Sequence, residues 1–249
     1  MKLQLLKEEV YRGELILVNE RHPIRRKFSN KLIPFTPKKK DILLHAQAAS
    51  MLTHLMREIE HEDEIIPVSG YRPEQEQETI YKESVRDNGE EFTKKYVALP
   101  GRSEHQTGLA IDLGENKEEV DFICPHFPYT GIFGKFREKA SRYGFIERYQ
   151  NGKEKITGIA HEPWHFRYIG YPHAEIIRER DICLEEYIEF IKAYRPESKP
   201  LTFPHKGREI EIFYSPADGD ETVVTVPDDA PYQVSGNNVD GFIVTVWRR

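Results

Sequence analysis

His105, Asp112, Glu162 and His165 stand in two segments, Ser103-Glu104-His105-Gln106-Thr107-Gly108-Leu109-Ala110-Ile111-Asp112 and Glu162-Pro163-Trp164-His165. A zinc ion that performs hydrolysis is usually held by three protein ligands and keeps its fourth position open for water. Two imidazoles, one carboxylate ligand and one further carboxylate are the groups that this chemistry requires. The pattern therefore predicts zinc ligands at His105, Asp112 and His165, with Glu162 beside the metal but not bound to it.

The first segment supports this assignment if residues 109–113 form a strand. Side chains alternate between the two faces of a strand. Leu109, Ile111 and Leu113 then share an apolar face, and Ala110 and Asp112 share the other. Ala110 is small enough to leave room for a metal, so we expect Asp112 to point into the site.

The second segment follows the same alternation. Trp164, Phe166 and Tyr168 share one face, which we interpret as core, and His165 shares the opposite face with Arg167. The proline after Glu162 disfavours a helical conformation at that glutamate. This is therefore not the helical H-E-x-x-H arrangement, and we expect Glu162 at the start of a strand.

A single histidine or aspartate usually has an ordinary surface or structural role. We assign such roles to most of the other histidines and interpret His161 as a neighbour of the site. The histidines with ordinary roles are His22, His45, His54, His61, His126, His173 and His205. The four candidate site residues, taken together in this pattern, favour the zinc site.

Several separated motifs carry a family resemblance. The chain contains S-x-H-x-x-G-x-A-x-D, then E-P-W-H, and upstream of both Ser69-Gly70-Tyr71-Arg72 with Gln77. In this order they resemble the zinc D,D-carboxypeptidase and D,D-dipeptidase family of vancomycin resistance, which includes the VanY, VanX and VanXY types. The resemblance covers roughly residues 13–194 and departs from the family at no catalytic position.

The resemblance implies a fold, an activity and a set of roles. The fold would be α+β, an antiparallel sheet flanked by helices as in hedgehog-like zinc D,D-peptidases, with a small C-terminal β appendage. The substrates would be peptides that end in D-alanyl-D-alanine or a close variant. Glu162 would be the general base, Arg72 would stabilise the scissile carbonyl, and Ser103 and Gln77 would lie near the substrate. Ser103 could equally be a simple turn hydroxyl.

Composition narrows the remaining classes. The chain has 249 residues, 38% of them hydrophobic, which is enough for one catalytic domain with a small appendage. Its net charge of -6 predicts no nucleic-acid binding, and the short basic run at residues 37–40 is typical of a solvated loop. Cys124 and Cys183 are too few for a disulfide framework, and they are compatible with reduced thiols in a cytoplasm.

The N-terminal ten residues predict a cytoplasmic enzyme. They carry charge from Lys2 onward and contain no apolar stretch of about 7–15 residues, as an export signal requires. No segment is apolar enough to span a membrane. Anchored VanY-type enzymes face exported cell-wall precursors, so we favour the bifunctional VanXY type, which cleaves a free D,D-dipeptide and trims the pentapeptide precursor.

Two other functions stay open. One is a zinc-containing binding module without turnover, which the presence of Glu162 and Arg72 argues against. The other is an endolysin-like peptidase that cuts mature cell wall, which the absence of an export signal argues against. The sequence does not decide between D-Ala-D-Ala and D-Ala-D-Ser, nor does it give the oligomeric state.

The chain is predicted to form a catalytic domain over residues 1–195, followed by a linker and a β-rich extension over residues 196–249. Predicted strands are 13–18, 65–68, 145–149, 155–159, 162–169, 209–214, 222–226 and 241–247, with 145–149 and 155–159 paired as a hairpin. The predicted helices are a segment capped by Asp41 that extends up to the acidic run at residues 61–64, and segments 73–89, 132–143 and 184–194. Residues 31–40 are predicted to be a loop and residues 196–204 a linker.

Overall fold

A computed structural model describes residues 1–26, 31–36, 39–60, 63–196 and 198–248. The chain forms two compact units. The central unit is Val18–Cys183, and the terminal unit combines Met1–Leu17 with the chain from Leu184 onward. This division differs from the predicted boundary at residue 195, because both the N-terminal segment and the helix after Leu184 belong with the C-terminal strands.

Strands and helices follow one another along both units. The strands are β1 (Lys2–Leu6), β2 (Leu32–Thr36), β3 (Lys39–His45), β4 (Ile65–Ser69), β5 (Ala110–Glu115), β6 (Phe145–Tyr149), β7 (Glu162–Tyr168), β8 (Leu201–His205), β9 (Arg208–Pro216), β10 (Glu221–Thr225), β11 (Tyr232–Gly236) and β12 (Gly241–Trp247). The helices are α1 (Ala46–Ile59), α2 (Glu74–Asn88), α3 (Glu90–Tyr96), α4 (Gly131–Ala140), α5 (Glu154–Thr157), α6 (His173–Arg180) and α7 (Leu184–Ile191).

The central unit is built on an antiparallel sheet with the strand order β4-β5-β7-β6. Helices α1 and α4 contribute to the hydrophobic core against it. Leu52 and Leu55 of α1, Phe136 of α4 and Phe166 of β7 are all buried there. The helical spacing of the apolar residues in α1 explains why one face of that helix enters the core.

The terminal unit is mostly antiparallel β structure. Strand β1 pairs with β10, and a second sheet has the order β11-β12-β9-β8. Val224 of β10 and Val244 of β12 are buried in its apolar cluster. With the central sheet, these elements confirm the predicted α+β class and the C-terminal β structure. Within the described residues, no helix has both the length and the apolar composition that a membrane span needs.

Predictions for residues 13–45 are largely wrong. Residues 13–18 are described and form no strand, although Leu15 N donates to Ser235 Oγ at 3.0 Å. The predicted loop at residues 31–40 contains β2 and the start of β3, since Pro34 is tolerated in a strand with only one partner. Pairing with β2 extends the chain through Asp41, so α1 begins at Ala46 and Asp41 is not its N-cap.

The predicted hairpin between residues 145–149 and 155–159 is wrong as well. Residues 145–149 form β6, but its partner is the distant β7, and Glu154–Thr157 is a short helix. Strand β8 overlaps the second half of the predicted linker. The strand at residues 65–68 and the helices at 73–89 and 132–143 are confirmed, apart from a 3₁₀ turn that ends the last one. Residues 37 and 38 of the basic run, the helix end at 61 and 62, and residue 197 of the linker lie outside the described residues.

Candidate active site

The candidate site lies where β5 and β7 run side by side. The two strands are antiparallel, and their register places Asp112 directly opposite His165. Leu109, Ile111 and Leu113 are buried in the core on one face of the sheet, as the alternation predicts. Asp112 and His165 therefore project together from the opposite face.

His105 reaches the same place from a 3₁₀ turn, Glu104–Thr107. The turn ends at Gly108, whose φ of +70° suits glycine, and a Cβ there would lie 2.5 Å from Leu32 Cδ2. His105 Nδ1 is 2.7 Å from the carbonyl oxygen of Gly70. If Nδ1 donates its proton to that carbonyl, Nε2 is left with a lone pair that faces Asp112 Oδ2 at 3.0 Å.

The three side chains form a buried group of donor atoms. One ligand atom from each of His105, Asp112 and His165 lies within 4.8 Å of the other two. His165 contributes Nδ1, which is 2.8 Å from Asp112 Oδ1. Two imidazole nitrogens and a carboxylate at these separations suit a tetrahedral zinc ion that keeps one position open.

Glu162 and Arg72 border this group without being part of it. Glu162 Oε2 is 3.8 Å from His165 Nδ1, and Glu162 is buried at the start of β7. Arg72 follows β4 and donates from Nη2 to Asp112 Oδ2 at 3.3 Å. The structure thus brings together a base and a cation on the rim of the candidate metal site.

The pKa values of the metal-free site reflect its burial and its charges. Burial lowers the pKa of His105 to about 4, and the nearby Arg72 adds to this effect. Burial would also lower the pKa of His165, but the carboxylates of Asp112, Glu104 and Glu162 together outweigh it and raise that pKa to about 9. Burial raises the pKa of Glu162 to about 8. Burial and the charges around the site are thus the main causes of these shifts.

Gln77 and Ser103 line the same pocket. Gln77 lies on α2, accepts a hydrogen bond from Arg72 Nη1 at 3.1 Å and donates one to Ala98 O at 2.8 Å. Its amide therefore holds the Arg72 guanidinium in place. Ser103 is the residue before the 3₁₀ turn, and its hydroxyl makes no capping hydrogen bond to that turn.

Two adjoining cavities meet at the site. The cavity around the triad of His105, Asp112 and His165 has a volume of about 40 Å³. The second has a volume of about 360 Å³. They share four lining residues, Val97, Ala98, Tyr149 and Ile159. A narrow pocket at the metal ligands thus adjoins a wider space.

Sequence reasoning missed a second group of charges behind His165. Glu104 Oε1 accepts a hydrogen bond from Arg148 Nε at 2.8 Å and lies 2.9 Å from Arg167 Nη1. All three side chains are fully buried. The alternation in β7 placed Arg167 on the same face as His165. This shared face was the only indication in the sequence that Arg167 lies near the site, and no local pattern indicated that Arg167 would contact Glu104.

Comparison with known proteins identifies relatives of this chain. The VanY family model, described as D-alanyl-D-alanine carboxypeptidase, matches residues 41–171. Bifunctional D-Ala-D-Ala dipeptidase and carboxypeptidase VanXYC from Enterococcus gallinarum is 42% identical over 71% of this chain and 94% of its own length.

Solved structures show the same relationship. The structure of vancomycin resistance D,D-dipeptidase VanXYg in complex with a D-Ala-D-Ala phosphinate analog has a TM-score of 0.98 and 51% identity, and the match covers 100% of this chain and 99% of that chain. A VanY E175A mutant from a VanB-type resistance cassette, in complex with Zn(II), has a TM-score of 0.60 and 31% identity. That match covers 70% of this chain and 98% of the other.

Proposed function

Because this chain belongs to the VanY family of D-alanyl-D-alanine carboxypeptidases, we propose that His105, Asp112 and His165 hold the catalytic zinc of a VanXY-type enzyme. The chain is a zinc D,D-dipeptidase and D,D-carboxypeptidase, an activity that confers vancomycin resistance. The observation that carries the residue assignment is the buried triad, whose donor atoms lie within 4.8 Å of one another beside a free carboxylate.

Zinc, when bound, supplies a Lewis acid that activates water for attack at neutral pH. Glu162 lies outside the triad, so it is free to take a proton from the attacking water and return it to the leaving amine. Such transfers typically contribute ~10²–10⁴ in rate. Glu162 ionises more readily once a cation is nearby, since opposite charge favours the ionised carboxyl.

Arg72 stabilises the charge that develops on the scissile carbonyl oxygen. Its guanidinium is held by Asp112 and Gln77 before any substrate arrives. A donor fixed in advance needs little reorganisation during the reaction, which is why such groups are effective in acyl transfer. Gln77 therefore acts through Arg72, while the Ser103 hydroxyl is available to the substrate.

The finer proposal is that the enzyme accepts both a free D,D-dipeptide and a peptidoglycan pentapeptide precursor. The narrow pocket beside Arg72 and Ser103 would hold the terminal D-residue, and the wider cavity would take the chain on the amino side of the scissile bond. Their shared wall at Tyr149 and Ile159 supports this division. A dipeptide needs the first space only, whereas a pentapeptide needs both.

The experiment incubates the purified enzyme with D-Ala-D-Ala, D-Ala-D-Ser, a pentapeptide and cross-linked cell wall, and identifies the released products. Both dipeptides and the pentapeptide should be tested with an amidated terminus as well, which the enzyme should reject. Release from the dipeptides alone would restrict the enzyme to the VanX type. Release only from cross-linked wall would favour the endolysin function, and zinc binding without any release would favour a binding module.

A cavity-filling variant tests which space takes the longer substrate. Leu99 lines the wider cavity but not the narrow pocket. Leu99→Trp should lower kcat/KM for the pentapeptide and leave the dipeptide rate unchanged. Ile156→Trp is the matched control, because Ile156 is exposed and lines neither cavity. Equal losses on both substrates would contradict the division.

We further propose a cytoplasmic location. Cys124 and Cys183 form no disulfide bond, which is compatible with a reducing compartment. Fractionation of producing cells, with activity measured in the cytoplasmic and the envelope fractions, tests this location. Activity confined to the envelope fraction would contradict it.

A further inference from the structure

The most unusual feature outside the proposed machinery is the charged cluster of Glu104, Arg148 and Arg167. Each side chain has 0% of its surface exposed. Removing charged groups from water is unfavourable, and apolar residues of similar volume often replace a buried ion cluster without loss of stability. Stability alone therefore does not account for three buried charges at this place.

Both arginines contact the same oxygen of the Glu104 carboxylate, and neither of these contacts involves the other oxygen. Arg148 Nε and Arg167 Nη1 both approach Oε1. Oε2 has no closer polar partner than His165 Nε2, which is 3.5 Å away. Among the described residues, neither Oε2 nor Nε2 has a hydrogen bond of normal length. The distance between these two atoms is thus slightly longer than the usual N···O distance of a hydrogen bond, which is about 2.7–3.2 Å.

The opposite nitrogen of the same ring faces the candidate metal position. His165 Nδ1 lies 2.8 Å from Asp112 Oδ1 and 3.8 Å from Glu162 Oε2. A histidine binds a metal through a neutral ring, so one nitrogen carries the proton and the other supplies the lone pair. Whichever group accepts the proton decides which nitrogen is free.

We propose that Glu104 is a positioning residue that accepts the Nε2 proton of His165 and so presents the Nδ1 lone pair to the metal. The inference rests on the metal site proposed above. Arg148 Nε and Arg167 Nη1 lie 2.8 and 2.9 Å from Glu104 Oε1, and two positive charges this close favour the ionised carboxylate as the acceptor. The Tyr149 ring packs on His165 with centroids 4.9 Å apart and restrains its tilt.

His105 also has one ring nitrogen paired with an acceptor outside the metal site, but the acceptor is different. Its Nδ1 is paired with the Gly70 carbonyl oxygen, a neutral backbone acceptor. An anionic acceptor also makes the ligating nitrogen more basic, and loss of such a partner typically weakens metal binding by ~10- to 100-fold. Glu104 should therefore matter more for zinc affinity than any contact of His105 outside the metal site.

The test measures zinc affinity, by competition with a chromophoric chelator, in Glu104→Gln and Glu104→Ala. We expect both variants to bind zinc about 10- to 100-fold more weakly than the wild type. The visible spectrum of the cobalt-substituted protein should also shift, because the orientation of His165 changes. Glu175→Gln is the matched control, since Glu175 is a buried carboxylate paired with Arg178 away from the site, and it should behave like the wild type.

Folding is followed by circular dichroism and by cooperative thermal unfolding. Glu104→Ala leaves two arginines without their shared partner and is the variant at risk of misfolding, in which case Glu104→Gln decides. A folded Glu104→Gln with wild-type zinc affinity and an unchanged cobalt spectrum would overturn the proposal. Failure of the metal site itself would look different, because the wild type would then bind no stoichiometric zinc.

Discussion

Replacing Glu162 by glutamine should separate metal binding from catalysis. Glutamine keeps the size of the buried side chain but accepts no proton under the reaction conditions. Glu162 Oε2 is 3.8 Å from His165 Nδ1 and is not one of the grouped ligand atoms. The variant should therefore keep its fold and its zinc while it loses the proton transfers.

The size of the loss follows from the role assigned to the carboxyl. A positioned acid–base group is worth ~10²–10⁴ in rate, which corresponds to about 3 to 5 kcal/mol in the activation barrier. We expect the loss in kcat, with KM changed little, because Arg72, Gln77 and Ser103 still line the pocket. Glu175→Gln should keep wild-type kinetics and serves as the control.

The assay follows D-alanine release from D-Ala-D-Ala at saturating zinc, and metal analysis is carried out on the same preparation. Two results would refute the reasoning. Wild-type turnover with full zinc occupancy would remove Glu162 from the mechanism. Loss of zinc from a folded variant would make Glu162 a ligand.

Three further predictions have definite expected outcomes. His105→Ala and His165→Ala should each reduce bound zinc from about one per chain to a small fraction by metal analysis, and unchanged content in both would contradict the ligand assignment. Gly108→Ala should lower the free energy of unfolding, measured in urea, by about 1–3 kcal/mol, since the new Cβ would lie 2.5 Å from a leucine carbon. Gly152→Ala is the control, because Gly152 also has a positive φ, +83°, but a Cβ there would have no atom within 4 Å. It should destabilise the fold less, and equal decreases for the two variants would show that the clash has no effect. Burial lowers the pKa of His173 to about 3, so this side chain takes up a proton at a higher pH in the unfolded chain than in the folded one. The free energy of unfolding therefore falls by up to about 1.4 kcal/mol per pH unit below pH ~6.5. Urea unfolding at pH 7.5 and 5.5 should show a smaller decrease in this free energy for His173→Phe than for the wild type, and an identical decrease would contradict the prediction.

Local patterns were sufficient for the residues that point into the site. The alternation about Asp112 and His165 depends only on each strand being extended, and the two strands then meet in register. The helix that carries Gln77 could be recognised because Pro73 begins it and Gly89 ends it. In each case the information lies within one short segment of the chain.

Other features depended on partners far away in the sequence. Strand β6 was assigned a neighbour a few residues away, but it pairs with β7 across the sheet. The strand at residues 39–45 was hidden because its pattern of apolar residues continues into α1. Glu104 is adjacent to His105 in sequence, yet its function depends on Arg148 and Arg167, which only the folded sheet brings to it.

The pairing of β1 with β10 has a consequence for the order of events during biosynthesis. Lys2 lies opposite Thr225 and Leu6 opposite Glu221, so the first strand has no partner until more than two hundred further residues have left the ribosome. At about 5–20 residues per second, that delay is roughly 10 to 40 s. The central unit is contiguous and can fold during this time, whereas Met1–Leu17 must wait. A circular permutant that joins the two ends and opens the chain between Leu17 and Val18 would remove the delay.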